Sequence, residues 1–157
     1  MGSEKCIRDR NNTLLRLALS IFFITIALQN TSAQIGKNMT LLSRWDIDTF
    51  PSKSGIVYND IWGYADCQGR EYAILGSTER VHFFDISTPT TPREVANFTG
   101  GSRAIWRDMK TYRDRAYSVC DGCSEGLMVF DLSQLPNRVT KTYQDKTVFS
   151  SCHNIII

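Results

Sequence analysis

The chain has 157 residues, 42% of them apolar and 22% charged, with 18 Lys/Arg against 16 Asp/Glu. That composition fits one packed domain rather than a disordered chain. A cationic excess of +2, with both signs interspersed, excludes the clustered charge that a nucleic-acid surface needs.

Residues 1–33 read as a secretory signal peptide. Lys5, Arg8 and Arg10, opposed by Glu4 and Asp9, give a net-basic start. An apolar run follows from Leu17 to Leu28, and Thr31-Ser32-Ala33 supplies a small-x-Ala cleavage pattern. The run is well short of the roughly 20 residues that span a bilayer, which favours cleavage over a retained signal anchor. Cleavage removes four Lys/Arg and two Asp/Glu and leaves fourteen of each, so the mature chain is near neutral. It then has no basic membrane patch and no membrane span. Cys6 leaves with the leader, while Cys67, Cys120, Cys123 and Cys152 enter an oxidising compartment. Asn38-Met-Thr40 and Asn97-Phe-Thr99 are glycosylation acceptor patterns at Asn38 and Asn97.

After a linker over 34–42, the rest reads as short strands. Ile61–Tyr64, Glu71–Gly76, Val81–Ile86 and Glu94–Phe98 are rich in β-branched and aromatic residues and separated by Gly, Pro, Asp and Ser. The order repeats at Asp108–Tyr112, Arg115–Cys120, Gly126–Leu132 and Val139–Tyr143. Three matches carry the repeat. "NDIWGY" (59–64) aligns with "RDMKTY" (107–112), "REYAIL" (70–75) with "DRAYSV" (114–119), and "VHFFDIS" (81–87) with "LMVFDLS" (127–133). "HNIII" (153–157) restarts the unit. No stretch beyond residue 33 sustains a helical apolar period. The expectation is an all-β chain of propeller blades, each of four antiparallel strands. The first blade falls near 56–100, the second near 103–146, and the start of a third near 148–157. A blade needs a neighbour on each face, so residues 43–157 are expected to be part of a longer propeller.

The segments "NDIWGYADCQGREYAILGSTERVHFFDIS", "WRDMKTYRDRAYSVCDGCSEGLMVFDLS" and "CHNIII" resemble the N-terminal blades of the choice-of-anchor B proteins, which are built from LVIVD-type repeats. The resemblance implies a secreted or surface-attached propeller whose C-terminal anchor lies in a further part of the protein. It implies a place and a fold, not a reaction.

Three constellations are candidates for chemistry. Cys120-x-x-Cys123 falls at a hairpin tip with no helix to lower a thiolate pKa, which argues against a redox centre. In an oxidising compartment disulfides are the default, either Cys120–Cys123 or a bridge from one of these to Cys152 between blades. Cys67 lies on the opposite side, in the loop between the first two strands. The alternative is zinc held by Cys120, Cys123, Cys152 and His153, although strand alternation sends Cys152 and His153 to opposite faces. Second, Asn59-Asp60, Arg107-Asp108 and His153-Asn154 hold equivalent places on the innermost strands. They read either as a ligand site on the channel rim (Asp60, Arg107, Asp108, His153, Asn154) or as aspartates holding adjacent blades in register, the latter favoured. Third, Asp85 and Asp131 end strands ahead of turns and read as turn acceptors.

Trp62 and Trp106 read as packing between blades, and His82 receives no role. No nucleophile elbow, metalloprotease motif or phosphate loop is present, and no cofactor is expected. The function read from the sequence is a binding or interaction module for an extracellular protein or glycan. The alternative is a hydrolase-like or metal-dependent enzyme using the central channel.

Overall fold

The computed structural model describes residues 38–157. The signal peptide expected over 1–33 and the start of the linker lie outside the described residues. Within the compact unit Leu41–Ile157, eight strands form in chain order. They are β1 (Tyr58–Ala65), β2 (Glu71–Ser77), β3 (Arg80–Asp85), β4 (Arg93–Thr99), β5 (Trp106–Tyr112), β6 (Arg115–Asp121), β7 (Leu127–Asp131) and β8 (Thr140–Asp145). They make two open antiparallel sheets, β1-β2-β3-β4 and β5-β6-β7-β8. No helix occurs among the described residues. Asp85 and Asp131 close equivalent turns, each accepting the backbone N–H two residues on, from Ser87 and Ser133.

The pairing corrects one sequence match. Ala73 pairs with Phe84 as Ala116 pairs with Phe130, so Ala73 and Ala116 are equivalent. Aligning "REYAIL" with "DRAYSV" set Ala73 against Tyr117, one residue out. A one-residue slip in a strand exchanges its two faces. In the true register, Ile74 corresponds to Tyr117 and not to Ser118. The extra length of the second hairpin grows accordingly. The equivalent pairs Leu75↔His82 and Ser118↔Met128 enclose residues 76–81 and 119–127, three more in the second sheet and not two.

The main core forms between the sheets. Tyr72, Ile74, Val81 and Phe83 from the first sheet meet Met109, Ala116, Met128 and Phe130 from the second. Period-2 alternation places each set on one face. Phe83 and Phe130 meet edge-on with ring centroids 5.1 Å apart, and Phe98 packs against both. Leu132, Leu135 and Val139 extend the cluster beneath the β7–β8 connection. Burying each large side chain contributes about 1.5–3 kcal/mol.

The far face of the first sheet carries His82 and Phe84 and is covered by the segment ahead of β1. Trp45 packs on Phe84 at 4.6 Å, and Phe50 stacks on His82 at 5.3 Å. Apart from Val119, which is buried, the far face of the second sheet has no such cover within the described chain. There Tyr117, Leu127 and Val129 are half-buried and Tyr143 is 50% exposed. Residues 148–157 form no strand, yet they follow the hairpin tip of the second sheet. Cys152 N–H donates to the Cys120 carbonyl as Ala104 N–H donates to that of Thr78.

The core assignment has a direct test. Phe130→Ala is expected to cost about 3–5 kcal/mol, whereas Tyr143→Ala should stay within about 0.5 kcal/mol. Urea unfolding of the two variants checks this contrast.

Candidate functional site

Strands β1 and β5 lie side by side, and alternate residues of β1 make three side-chain bonds, two to β5 and one to the turn after it. Asp60 accepts the Met109 N–H at 3.3 Å, Trp62 Nε1 donates to Thr111 Oγ1 at 3.0 Å, and the Tyr64 hydroxyl donates to Asp114 at 2.9 Å. Residues 60, 62 and 64 share the face turned toward the second sheet, so strand alternation itself builds the ladder. Burial, reinforced by Asp114, pushes the Tyr64 phenol up to about 12. The first rung recurs one unit later, where Asp108 accepts the Ile155 N–H at 2.8 Å. Both aspartates therefore bond a backbone N–H of the following unit. Burial works against ionisation of Asp108, but Lys110, the Ile155 N–H and Asp60 outweigh it and hold the carboxyl below its usual range.

Arg107, at the place of Asn59, is turned away from the rim. Its side chain and that of Glu125 are fully buried and form an ion pair. Arg107 Nε donates to the Ser77 carbonyl at 2.9 Å, and the second Glu125 oxygen accepts the Gly101 N–H at 2.8 Å. The pair thus joins both sheets, the β6–β7 hairpin and the connection between sheets. Glycine is required in that connection. A Cβ on Gly100 would collide with the Glu125 carboxylate and one on Gly101 with the Cys123 carbonyl. Sequence reading overlooked Glu125.

Cys120 and Cys123 form a disulfide inside the lengthened hairpin tip, both sulfurs buried beside Ala104. The short bridge is the one formed. Cys152 is a half-buried free thiol and Cys67 an exposed one. Cys120, Cys123 and Glu125 are the one group of possible metal ligands gathered within 4.8 Å among the described residues. Both sulfurs are spent in the disulfide and both Glu125 oxygens are bonded, so the group offers no donor. The set Cys120, Cys123, Cys152 and His153 is not brought together. His153 instead turns Nδ1 to Asp121 at 3.0 Å.

His82 has partners that its sequence neighbours hid. Nδ1 meets Glu94 at 2.7 Å and Nε2 meets the Ser77 hydroxyl at 3.0 Å. The order Ser–His–Glu is that of an acyl-transfer relay. Here, however, the ring is wholly buried under Trp45 and Phe50 and Ser77 is 3% exposed. The relay satisfies buried polar groups and has no route for a substrate.

The expected rim residues do line one space. A cleft of about 560 Å³ opens between the starts of β1 and β5 and the tail, walled by Tyr58, Asp60, Trp106, Asp108, His153 and Asn154, with Arg107 contributing to its floor. Trp106 is 51% exposed, and its ring meets that of His153 at 5.6 Å. Trp62 is 37% exposed, with the Lys110 ammonium 4.3 Å above its ring. Neither tryptophan is the core residue expected from sequence. Trp62 caps the junction of the inner strands, and Trp106 forms a cleft wall. Among the described residues no helix is long and apolar enough to cross a membrane. Comparisons with family models, curated proteins and solved structures give no match.

Two outcomes follow from the buried groups. Glu125→Gln leaves the Arg107 guanidinium uncompensated and should cost about 3–5 kcal/mol, whereas an Arg107→Met, Glu125→Leu double variant should recover most of that loss; denaturant titration reads both. Burial depresses the His82 pKa, with Arg80 and Arg107 adding to the effect and Glu94 opposing it. A His depressed on folding stabilises the fold while neutral. That contribution is complete above the unfolded value of about 6.5 and falls as pH drops from there through the folded value. The stability slope below pH 6.5 should flatten in His82→Gln, measured by thermal unfolding across pH.

Proposed function

We propose that the two sheets are successive blades of an extracellular β-propeller of the choice-of-anchor B type, and that the protein is a secreted or surface-attached binding module. The observation that carries this reading is the recurring inner-strand bond, Asp60 to Met109 and Asp108 to Ile155. It repeats with the unit and sets inner strands next to one another, as a ring of blades requires. The bare far face of the second sheet supports the same reading. Tyr117 and Val129 there stand in register with Ile74 and Phe83, which the second sheet buries in the first.

In such a ring the cleft beside Asp60, Asp108 and His153 lies at the mouth of the central channel and is the ligand site. A binding role, rather than turnover, is supported by its lining. Asp108 is engaged by Lys110, Arg107 by Glu125 and His153 by Asp121, which commits these groups to structure rather than to proton transfer. Secretion rests on the leader over 1–33, and it accords with the disulfide and with Asn97, which is exposed on β4.

Expression through a eukaryotic secretory pathway tests both parts. The secreted protein should begin at Gln34, and electron microscopy of the intact protein should show a ring of blades with β1 and β5 against a central channel. Retention of the leader would contradict secretion. A two-sheet sandwich with no channel would contradict the propeller.

A further inference from the structure

We infer that the cleft takes a neutral carbohydrate end-group, stacked on Trp106 and held through its hydroxyls by Asp60 and Asn154. The inference rests on the reading of this cleft as the ligand site and names the ligand's chemistry.

The first argument is charge. The cations around the cleft are committed within the protein. Lys110 is paired to Asp108 and His153 to Asp121, while the Arg107 guanidinium is sealed against Glu125. An anionic ligand finds no uncommitted cation there, and the Asp60 carboxylate in the lining, with no cationic partner among the described residues, adds to its exclusion. A ligand with no net charge leaves every pair intact.

The second argument is shape and surface. Trp106 keeps half of its area in water although it sits in a concave wall next to the apolar Ile56 and Ile105. Sites for small ligands combine such apolar walls with a few placed polar groups. A pyranose suits this combination. One face of its ring carries C–H bonds whose weakly positive hydrogens complement the negative face of an indole. Its edge carries hydroxyls that donate to a carboxylate and exchange hydrogen bonds with an amide. Asp60 fits the acceptor role, since its bond to the Met109 N–H is long, at 3.3 Å, and its carboxyl lines the cleft beside Asp108. Asn154 supplies the amide on the opposite wall.

The test applies the intact secreted protein to an array of neutral oligosaccharides ending in hexoses or N-acetylhexosamines. An array of sulfated saccharides and a panel of extracellular matrix proteins run beside it. Saturable binding to neutral ends is expected, with little change between about 0.05 and 0.5 M salt because no ion pair is formed. Trp106→Ala should weaken it by about tenfold or more, as loss of an aromatic anchor does. Asp60→Asn keeps an acceptor for Met109 and should weaken binding while the fold, followed by circular dichroism, stays intact. Gln68→Ala, in the exposed loop between β1 and β2, should bind as the parent does. The inference is overturned by binding confined to the sulfated array or to matrix proteins, by no binding at all, or by neutral binding that survives Trp106→Ala. A ring in the micrographs without carbohydrate binding removes this inference alone. Carbohydrate binding without a ring removes the propeller alone.

Discussion

A carboxylate on the first strand of a sheet accepting a backbone N–H from the chain that follows that sheet is the bond on which this arrangement turns. Asp60 does this to Met109 and Asp108 to Ile155. An antiparallel sheet satisfies its inner-strand backbone on one edge only, and an exposed edge invites pairing with other chains. Here the Met109 N–H on β5 is met by the Asp60 side chain of β1 rather than by a backbone ladder. The two sheets remain separate four-stranded units with their apolar faces packed together.

The consequences spread outward. With the inner strands fixed, Phe83 meets Phe130 across the interface, and Trp62 and Tyr64 complete the ladder with Thr111 and Asp114. Farther toward the loops, the buried Arg107–Glu125 pair locks the lengthened hairpin to the connection between sheets. The disulfide closes a turn where β6 enters the tip of that same hairpin. The bridge closes few residues and so removes little unfolded-state entropy. Its effect is local, since it holds the Cys123 carbonyl where Ser102 can donate to it at 2.8 Å. A buried ion pair contributes little net stability over an apolar replacement, but it penalises any arrangement that separates its partners.

The sequence made the strands and their order readable, because alternation and turn residues are local signals. Asp60 and Asp108 stood out because aligned segments of the sequence bring them to matching positions. What stayed hidden depended on partners distant in the chain. Glu125 looked like an ordinary loop acid until Arg107, eighteen residues earlier, turned inward to meet it. His82 looked isolated because Glu94 and Ser77 reach it across neighbouring strands. The Ala73 match slipped by one residue because both strands offer small and aromatic residues in succession, and only the hydrogen-bond register separates the two alignments. Trp62 and Trp106 were read as packing between blades. Their exposure follows from the inner strand's position beside the cleft, which composition does not encode.

Amide hydrogen exchange, resolved residue by residue by NMR, tests the inner-strand bond most directly. Ile155 lies in a tail without strand structure, so its amide has Asp108 as its one acceptor among the described residues. The account predicts a protected Ile155 amide in the parent, fast exchange in Asp108→Ala, and no change there in Asp60→Ala. An Ile155 amide that exchanges freely in the parent, or stays protected without the Asp108 carboxylate, would contradict it.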